Sequence, residues 1–337
     1  MVSAPDNWFE RVPKIELHLH LEGAIPVEAL FELMKKYGGD PIVKTREDLA
    51  RKFQYTDFAH FIQAWLWKNR FLREYDDFEF IAEHVARDLL AQNIRYVEAH
   101  YSPPDHTRKS KLETAPLTEA FRRGLDKVKG IEIKLIADVV RDYGAASALR
   151  TVEEVAELNM LGVIGIGLGG SEKEYPPEAF EQAFARARAL GLHTTAHAGE
   201  VAGPESVWGA VKSLRAERVG HGTRAADDER LVAYLAESGI AIEMCPLSNL
   251  RTGSVSSIAE HPIRRFFDEG LLVTVSTDDP KMFNNSLHEE YRLLESQFGF
   301  THDEIRRVIL NGIEASWLPQ ERKHQLETSF VSDKNWR

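Results

Sequence analysis

Apolar and polar residues alternate strictly near the start of the chain. In "KIELHLH" (14–20), Ile15, Leu17 and Leu19 alternate with Glu16, His18 and His20. A repeat of two is that of a β-strand, so His18 and His20 project to one side of it. Seven further runs read as strands: "IRYVEAHY" (94–101), "IEIKLIADVVR" (131–141), "GVIGIGLG" (162–169), "LHTTAHA" (192–198), "ERVGH" (217–221), "IAIEMC" (240–245) and "LLVTVST" (271–277). Helix-patterned stretches lie between them, clearest at "PEAFEQAFARARALG" (177–191) and "DDERLVAYLAESG" (227–239). The second opens on acidic residues and stops at Gly239, as a helix should.

About eight strands alternating with helices in 337 residues predict an α/β fold of the (β/α)8 TIM-type barrel, with an open doubly wound sheet as its main rival. No Gly/Ser linker, low-complexity tract or repeat divides the chain, so residues 1–337 are expected to form a single domain. The connection at 24–92 is unusually long and predicts extra helices inserted after the first strand. Within it "FAHFIQAWLWKNRFLREY" (58–75) is aromatic and expected to be helical. Part of this insert could cover the barrel mouth as an apolar wall, while most of its aromatics are expected simply to pack on the flank.

Composition removes several function classes. With 42 basic and 53 acidic residues the net charge is −11, so the basic footprint of a nucleic-acid binder is missing. Simple solubility accounts for the acidity. Cys245 is the only cysteine, which rules out a disulfide within the chain and suits a reducing compartment. "MVSAPDNWFERVPK" has no apolar core of a signal peptide, and no run approaches membrane-spanning length. A cytoplasmic protein without membrane or nucleic-acid partners is expected; its oligomeric state is left open.

Chemistry in such a barrel sits where strands run into the following loops. Those positions carry His18 and His20, His100, Arg141–Asp142, Gly169–Gly170–Ser171–Glu172, His197 with Glu200, His221, Ser248–Asn249 and Asp278–Asp279. Each would cost about 1–3 kcal/mol if buried without a partner. Three histidines and a carboxylate suit a zinc ion, and His18, His20, His197 and Asp278 are the candidate ligands. A lone histidine is more often a satisfied core residue; HxH, "HAGE", "GHG" and "TDDP" at the ends of the first, fifth, sixth and eighth strands form a more specific set. Zinc lowers the pKa of bound water to about 7. His221 is placed to orient or deprotonate that water, and a protonated Glu200 to donate to a substrate ring nitrogen. Asp278 and Asp279 are neighbours in an extended segment, so one can face the metal and the other the substrate; a plain Asp-Pro turn is the alternative. Ser171 and Glu172 are expected only to cap the helix near Pro176. His60, His84, His106, His193, His261, His288, His302 and His324 are assigned no role.

Two motif matches are rejected. "GIGLGG" (165–170) fits GxGxxG, but its glycines lie within a strand and no helix opens directly after it. "HLE" (20–22) fits the HxE of cysteine-ligated zinc deaminases, which need a PCxxC that this chain lacks.

"PKIELHLHLEGA", "TAHAGE", "ERVGHG", "CPLSN" and "STDDP" together resemble, in order and spacing, the adenosine deaminase family of the amidohydrolase superfamily. The resemblance runs from about Pro13 to Leu318. It implies one zinc held by His18, His20, His197 and Asp278, a proton-shuttling Glu200, a water-activating His221, a purine N7 contact from Asp279 and a backbone N–H contact from Gly170. His20 and Glu22 are further expected at the substrate. Glu22 stands where animal-type adenosine deaminases carry a ribose-contacting aspartate, and "GGSE" where they tend to read "GDE"; both departures look like adenine deaminases, whereas "GEVAGPESV" and "STDDP" look like adenosine deaminases. The expected activity is zinc-dependent hydrolytic deamination of a 6-aminopurine nucleoside. Adenine or another 6-aminopurine such as aminodeoxyfutalosine is the alternative substrate. The rival classes are hydrolysis of an amide or phosphoester in the same cradle, and an inactive purine-binding protein.

Overall fold

The computed structural model describes residues 8–108 and 110–337. Residues 1–7, part of the segment read above as lacking a signal peptide and as belonging to the same domain, lie outside the described residues, as does Lys109. The strands are β1 (Lys14–His20), β2 (Ile94–Tyr101), β3 (Glu132–Val140), β4 (Val163–Gly169), β5 (His193–Ala198), β6 (Arg218–His221), β7 (Ala241–Met244) and β8 (Val273–Val275). They pair in sequence order, each parallel to the next. The ring closes through a parallel bridge between Leu19 and Asp278, where Asp278 N–H donates to His18 O at 3.1 Å and His20 N–H to Asp278 O at 2.9 Å. Strand order never reverses, which excludes the doubly wound sheet and leaves the (β/α)8 barrel.

The alternation of β1 has a different meaning from that of a sheet with one wet face. All seven of its residues are buried, because helices cover the outside and the barrel is filled inside. The filling is polar and paired. Arg218 bonds Glu98, and its Nε lies 2.6 Å from Glu243 Oε1. Glu98 also accepts from Tyr96 Oη at 2.9 Å and Trp317 N–H at 2.7 Å. Burial of such charges is tolerable only with partners of this kind.

The long β1–β2 connection holds helices at Val27–Lys36, Arg46–Lys52, Phe58–Asn69 and Tyr75–Ala91. The fourth packs on the helix Thr114–Asp126 and on β2, as the barrel's own first helix does, so the insert proper is the first three. The helix expected over 58–75 stops at Asn69. A new one starts because Asp77 accepts the N–H groups of Arg73 (2.8 Å) and Glu74 (2.9 Å), a reciprocal cap that outcompetes continuation. The segment read as a helix over 227–239 is one at Glu229–Ser238. Asp228 accepts Arg230 N–H at its start, and Gly239 ends it at φ 66°. Among the described residues no helix is long and apolar enough to cross a membrane.

Candidate active site

The strand ends meet at one point. His18 and His20 from β1, His197 from β5 and Asp278 after β8 bring one donor atom each within 4.8 Å of one another. His20 Nε2 lies 3.2 Å from His197 Nε2, and Asp278 Oδ1 lies 3.5 Å from His18 Nε2 and 3.3 Å from His20 Nε2. The far nitrogen of each ring has an acceptor. His18 Nδ1 faces Glu243 Oε2 at 2.9 Å, His20 Nδ1 faces Asp138 Oδ2 at 3.3 Å, and His197 Nδ1 donates to Leu168 O at 3.0 Å. Protons drawn to Nδ1 leave three Nε2 lone pairs converging with a carboxylate, the donor set and outer support of a metal site. His18 Nε2 is buried with no hydrogen-bond partner, which is what a ligand atom awaiting a cation looks like. Asp278 itself sits at φ 66°, a left-handed conformation costly for a residue with a Cβ. Ser248 Oγ holds its second oxygen at 2.6 Å.

The glycines rejected as a nucleotide motif have a place here. A Cβ on Gly167 would stand 2.2 Å from Asp138 Oδ1 and 2.8 Å from His100 Nδ1; one on Gly220 would stand 2.6 Å from His18 Cε1. Glycine on β4 and β6 is what makes room for imidazoles inside the barrel.

Glu200, buried on the turn after β5, has its carboxyl pushed well above the usual range by burial and by the charges of Asp278 and Glu172. Both causes favour its protonated form. His221 Nε2 lies 3.6 Å from Glu200 Oε2, and burial pushes this histidine down to about 3, so it is neutral. Glu172 does cap, but not the helix near Pro176. Its carboxylate accepts the N–H groups of Gly199 (2.5 Å), Glu200 (3.1 Å), Val201 (2.7 Å) and Ala202 (3.0 Å). It thereby fixes the turn that carries Glu200, a role that its position in "GGSE" did not reveal.

A cavity opens on this cluster. One wall is apolar: Phe58, Ile62, Phe61, Trp65 and Leu66 of the inserted helix. Gly170, at φ 101°, also lines it, and a Cβ there would stand 2.4 Å from Asp142 Oδ2. Asp279 lines it too, with Oδ1 buried and unpartnered; burial, then the charge of Asp278, raise its carboxyl. Gly23 gives Asp279 its space, since a Cβ there would overlap the carboxylate. Glu22 is not among the lining residues. Its carboxylate accepts Ser102 N–H at 3.0 Å and faces His106 Nε2 at 3.1 Å. Burial alone would raise it, but these bonds outweigh burial and hold it below its usual value. His106, assigned no role from sequence, is therefore the partner that turns Glu22 away from the cavity.

A parallel barrel that gathers three histidines, an aspartate and a buried glutamate at the C-terminal ends of its strands defines a hydrolase of the amidohydrolase superfamily. The family model described as adenosine deaminase matches residues 13–332, and the chain belongs to that family. It is 37% identical over 91% of its length to an aminodeoxyfutalosine deaminase of Streptomyces avermitilis, covering 87% of that protein. It is 36% identical over 92% of its length to an adenine deaminase of Bordetella parapertussis, covering 98% of it, and 32% identical over 94% to an adenosine deaminase of Serratia proteamaculans, covering 97%. An amidohydrolase from Burkholderia ambifaria solved with bound Zn superposes with a TM-score of 0.89 at 30% identity, over 98% of this chain and 93% of that one.

Proposed function

We propose that the protein hydrolyses the 6-amino group of an uncharged purine nucleoside, adenosine or a ribose-modified relative, with one zinc ion held by His18, His20, His197 and Asp278. When bound there, zinc makes water nucleophilic at neutral pH. The observation that carries the reading is the buried Glu200, its carboxyl raised by burial, beside the four converging ligand atoms. Glu200 gives its proton to N1 of the ring, which draws electrons from C6 and opens it to the oxygen of water. His221 orients or deprotonates that water. Asp279, raised enough to carry a proton, donates to N7, and Gly170 offers its N–H to the purine. Of the two protons shed by water, one ends on the leaving nitrogen, which departs as ammonia, and the other returns to Glu200 in place of the one given to N1.

The neutral substrate rests on the lining. Asp105, Asp138, Asp142, Glu172, Glu200, Asp278 and Asp279 face the cavity, and among the described lining residues there is no lysine or arginine. A phosphate would find no cation in this lining, and Asp138, Asp142, Glu172 and Asp278 would repel it. The nucleoside is favoured over the free base because Glu22 is bonded away from the cavity and does not crowd a ribose. The apolar wall favours, as a second reading, a nucleoside with a bulky 5′ substituent. The lone, buried Cys245 suits a reducing, cytoplasmic setting.

Ammonia release by zinc-replete enzyme, compared as kcat/KM for adenosine, 2′-deoxyadenosine, adenine, 5′-substituted adenosines, aminodeoxyfutalosine and AMP, tests this. Nucleosides should lead, with AMP at least ~10²-fold behind, about 2.7 kcal/mol. A lead for adenine overturns the nucleoside assignment, and parity of AMP with adenosine overturns the neutral-substrate argument. Release from none of them removes the enzymatic reading.

A further inference from the structure

His221 ends a buried hydrogen-bond chain that begins at a donor of unambiguous sense. Ile263 N–H, a backbone group, donates to His261 Nδ1 at 3.3 Å. With Nδ1 accepting, the proton of His261 is on Nε2, which faces Asn249 Oδ1 at 3.1 Å. Burial alone pushes His261 down to about 3, so this ring has one proton and no more. The amide of Asn249 is thereby oriented with Oδ1 toward His261, and its Nδ2 donates to His221 Nδ1 at 3.0 Å. His221 Nδ1 is then an acceptor, and its single proton sits on Nε2, the nitrogen that faces Glu200 Oε2 at 3.6 Å. Asn249 is fully buried, and His261 and His221 are nearly so, so water offers no competing partners that would let the amide turn over. The backbone adds to the restraint: His221 is held at φ 63° and Gly222 at φ 62°.

We infer that Asn249 and His261 are positioning residues that fix His221 as its Nε2–H tautomer, so that it donates a hydrogen bond to the attacking oxygen and does not take its proton. This rests on the deaminase reading and decides between the two roles open to His221. A neutral imidazole with Nε2–H in the site has no lone pair to offer there. Its Nδ1 lone pair is occupied by Asn249 and turned away from the reacting atoms. His221 therefore aims the oxygen and supports negative charge on it. The two parts of the "CPLSN" and "EHPI" segments that meet here, twelve residues apart, exist to choose that proton's location.

The test reads the tautomer first, independently of activity. In 15N-histidine-labelled, zinc-loaded protein, with signals assigned by their loss in His221→Gln and His261→Gln, long-range 1H–15N spectra should show both rings with a protonated Nε2 and an unprotonated Nδ1. An unprotonated Nε2 on His221 overturns the inference whether or not any purine is turned over. In Asn249→Asp the carboxylate can only accept, so His221 should switch to Nδ1–H. kcat should then fall by about 10²-fold or more, with KM little changed, the pattern of a wrongly placed proton. An unmoved tautomer with native kcat in that variant overturns the relay. His261→Gln keeps a donor to Asn249 Oδ1 and should retain kcat, while His261→Phe removes it and should not. Equal kcat in the two, with Nε2–H on His221 in both, overturns the part assigned to His261.

Discussion

Two glutamates 28 residues apart divide one task. Glu200 has its carboxyl on the cavity, where the proposed reaction takes place, and lifted in pKa by burial. Glu172 has its carboxylate occupied by four backbone N–H groups of the turn that presents Glu200. In Glu200→Gln we expect full metal content and a loss of at least ~10²-fold in turnover, the scale of a general acid. Near-native turnover would mean that another group protonates the ring. In Glu172→Ala the four N–H groups lose their acceptor, each a penalty of about 1–3 kcal/mol if left buried and unpaired, so both kcat and the melting temperature should drop. A lowered melting temperature with native kcat would show that the turn holds Glu200 without Glu172. His18, His20, His197 and Asp278 were legible in the sequence because each sits at a strand end with a short, distinctive spacing. The partners of Glu172 lie 27–30 residues away, and those of Glu22 lie 80 and 84 away. Such bonds are set by how loops pack, which no local pattern encodes, so the hold of His106 and Ser102 on Glu22 was not legible.

Strands were the most legible elements: short apolar runs bounded by turns and helix patterns are a strong local signal, and every expected run contains one observed strand of three to nine residues. Helix ends were less so. The helix expected over 58–75 breaks at Asn69 because a cap formed by Asp77 wins, and an aromatic-rich pattern does not announce where a competing cap will form. β4 shows how a tertiary demand writes itself into an element. Its inward positions are Gly165, Gly167 and Gly169, and Gly167 faces the carboxylate of Asp138 and the ring of His100. We expect Gly167→Ala to displace Asp138 from His20 Nδ1. Overpacking of this kind costs about 1–3 kcal/mol, and loss of a ligand's outer partner lowers metal affinity about 10–100-fold. Competition with a metallochromic chelator and thermal melts measure both. Native affinity and an unmoved melting temperature would show that the strand shifts to accept a methyl group, and the explanation of the glycine run would fall.

On the scale of the whole barrel, the weak place is the seam between the last strand and the first. β8 is three residues long, and its link to β1 passes through the Leu19–Asp278 bridge and two backbone hydrogen bonds around Asp278. β2 and β3, by contrast, pair over six residues in unbroken register. The proposed ligands straddle the seam: His18 and His20 on one side, Asp278 on the other, with His197 opposite. An ion bound to all four therefore ties the seam shut, and ligand binding to the folded state alone adds about 4 kcal/mol at a free concentration 1,000 times its Kd. The stabilisation should not be spread evenly. Removing the metal with a chelator should lower the melting temperature and raise amide hydrogen exchange first at residues 18–20 and 276–279, while the β2–β3 pair stays protected. Readdition of zinc should restore both. A uniform rise in exchange would mean that the ion stabilises the barrel globally and not at its seam. Unchanged exchange, with the metal shown to be gone, would mean that the backbone bonds around Asp278 close the ring unaided and that its left-handed conformation is held by the fold alone.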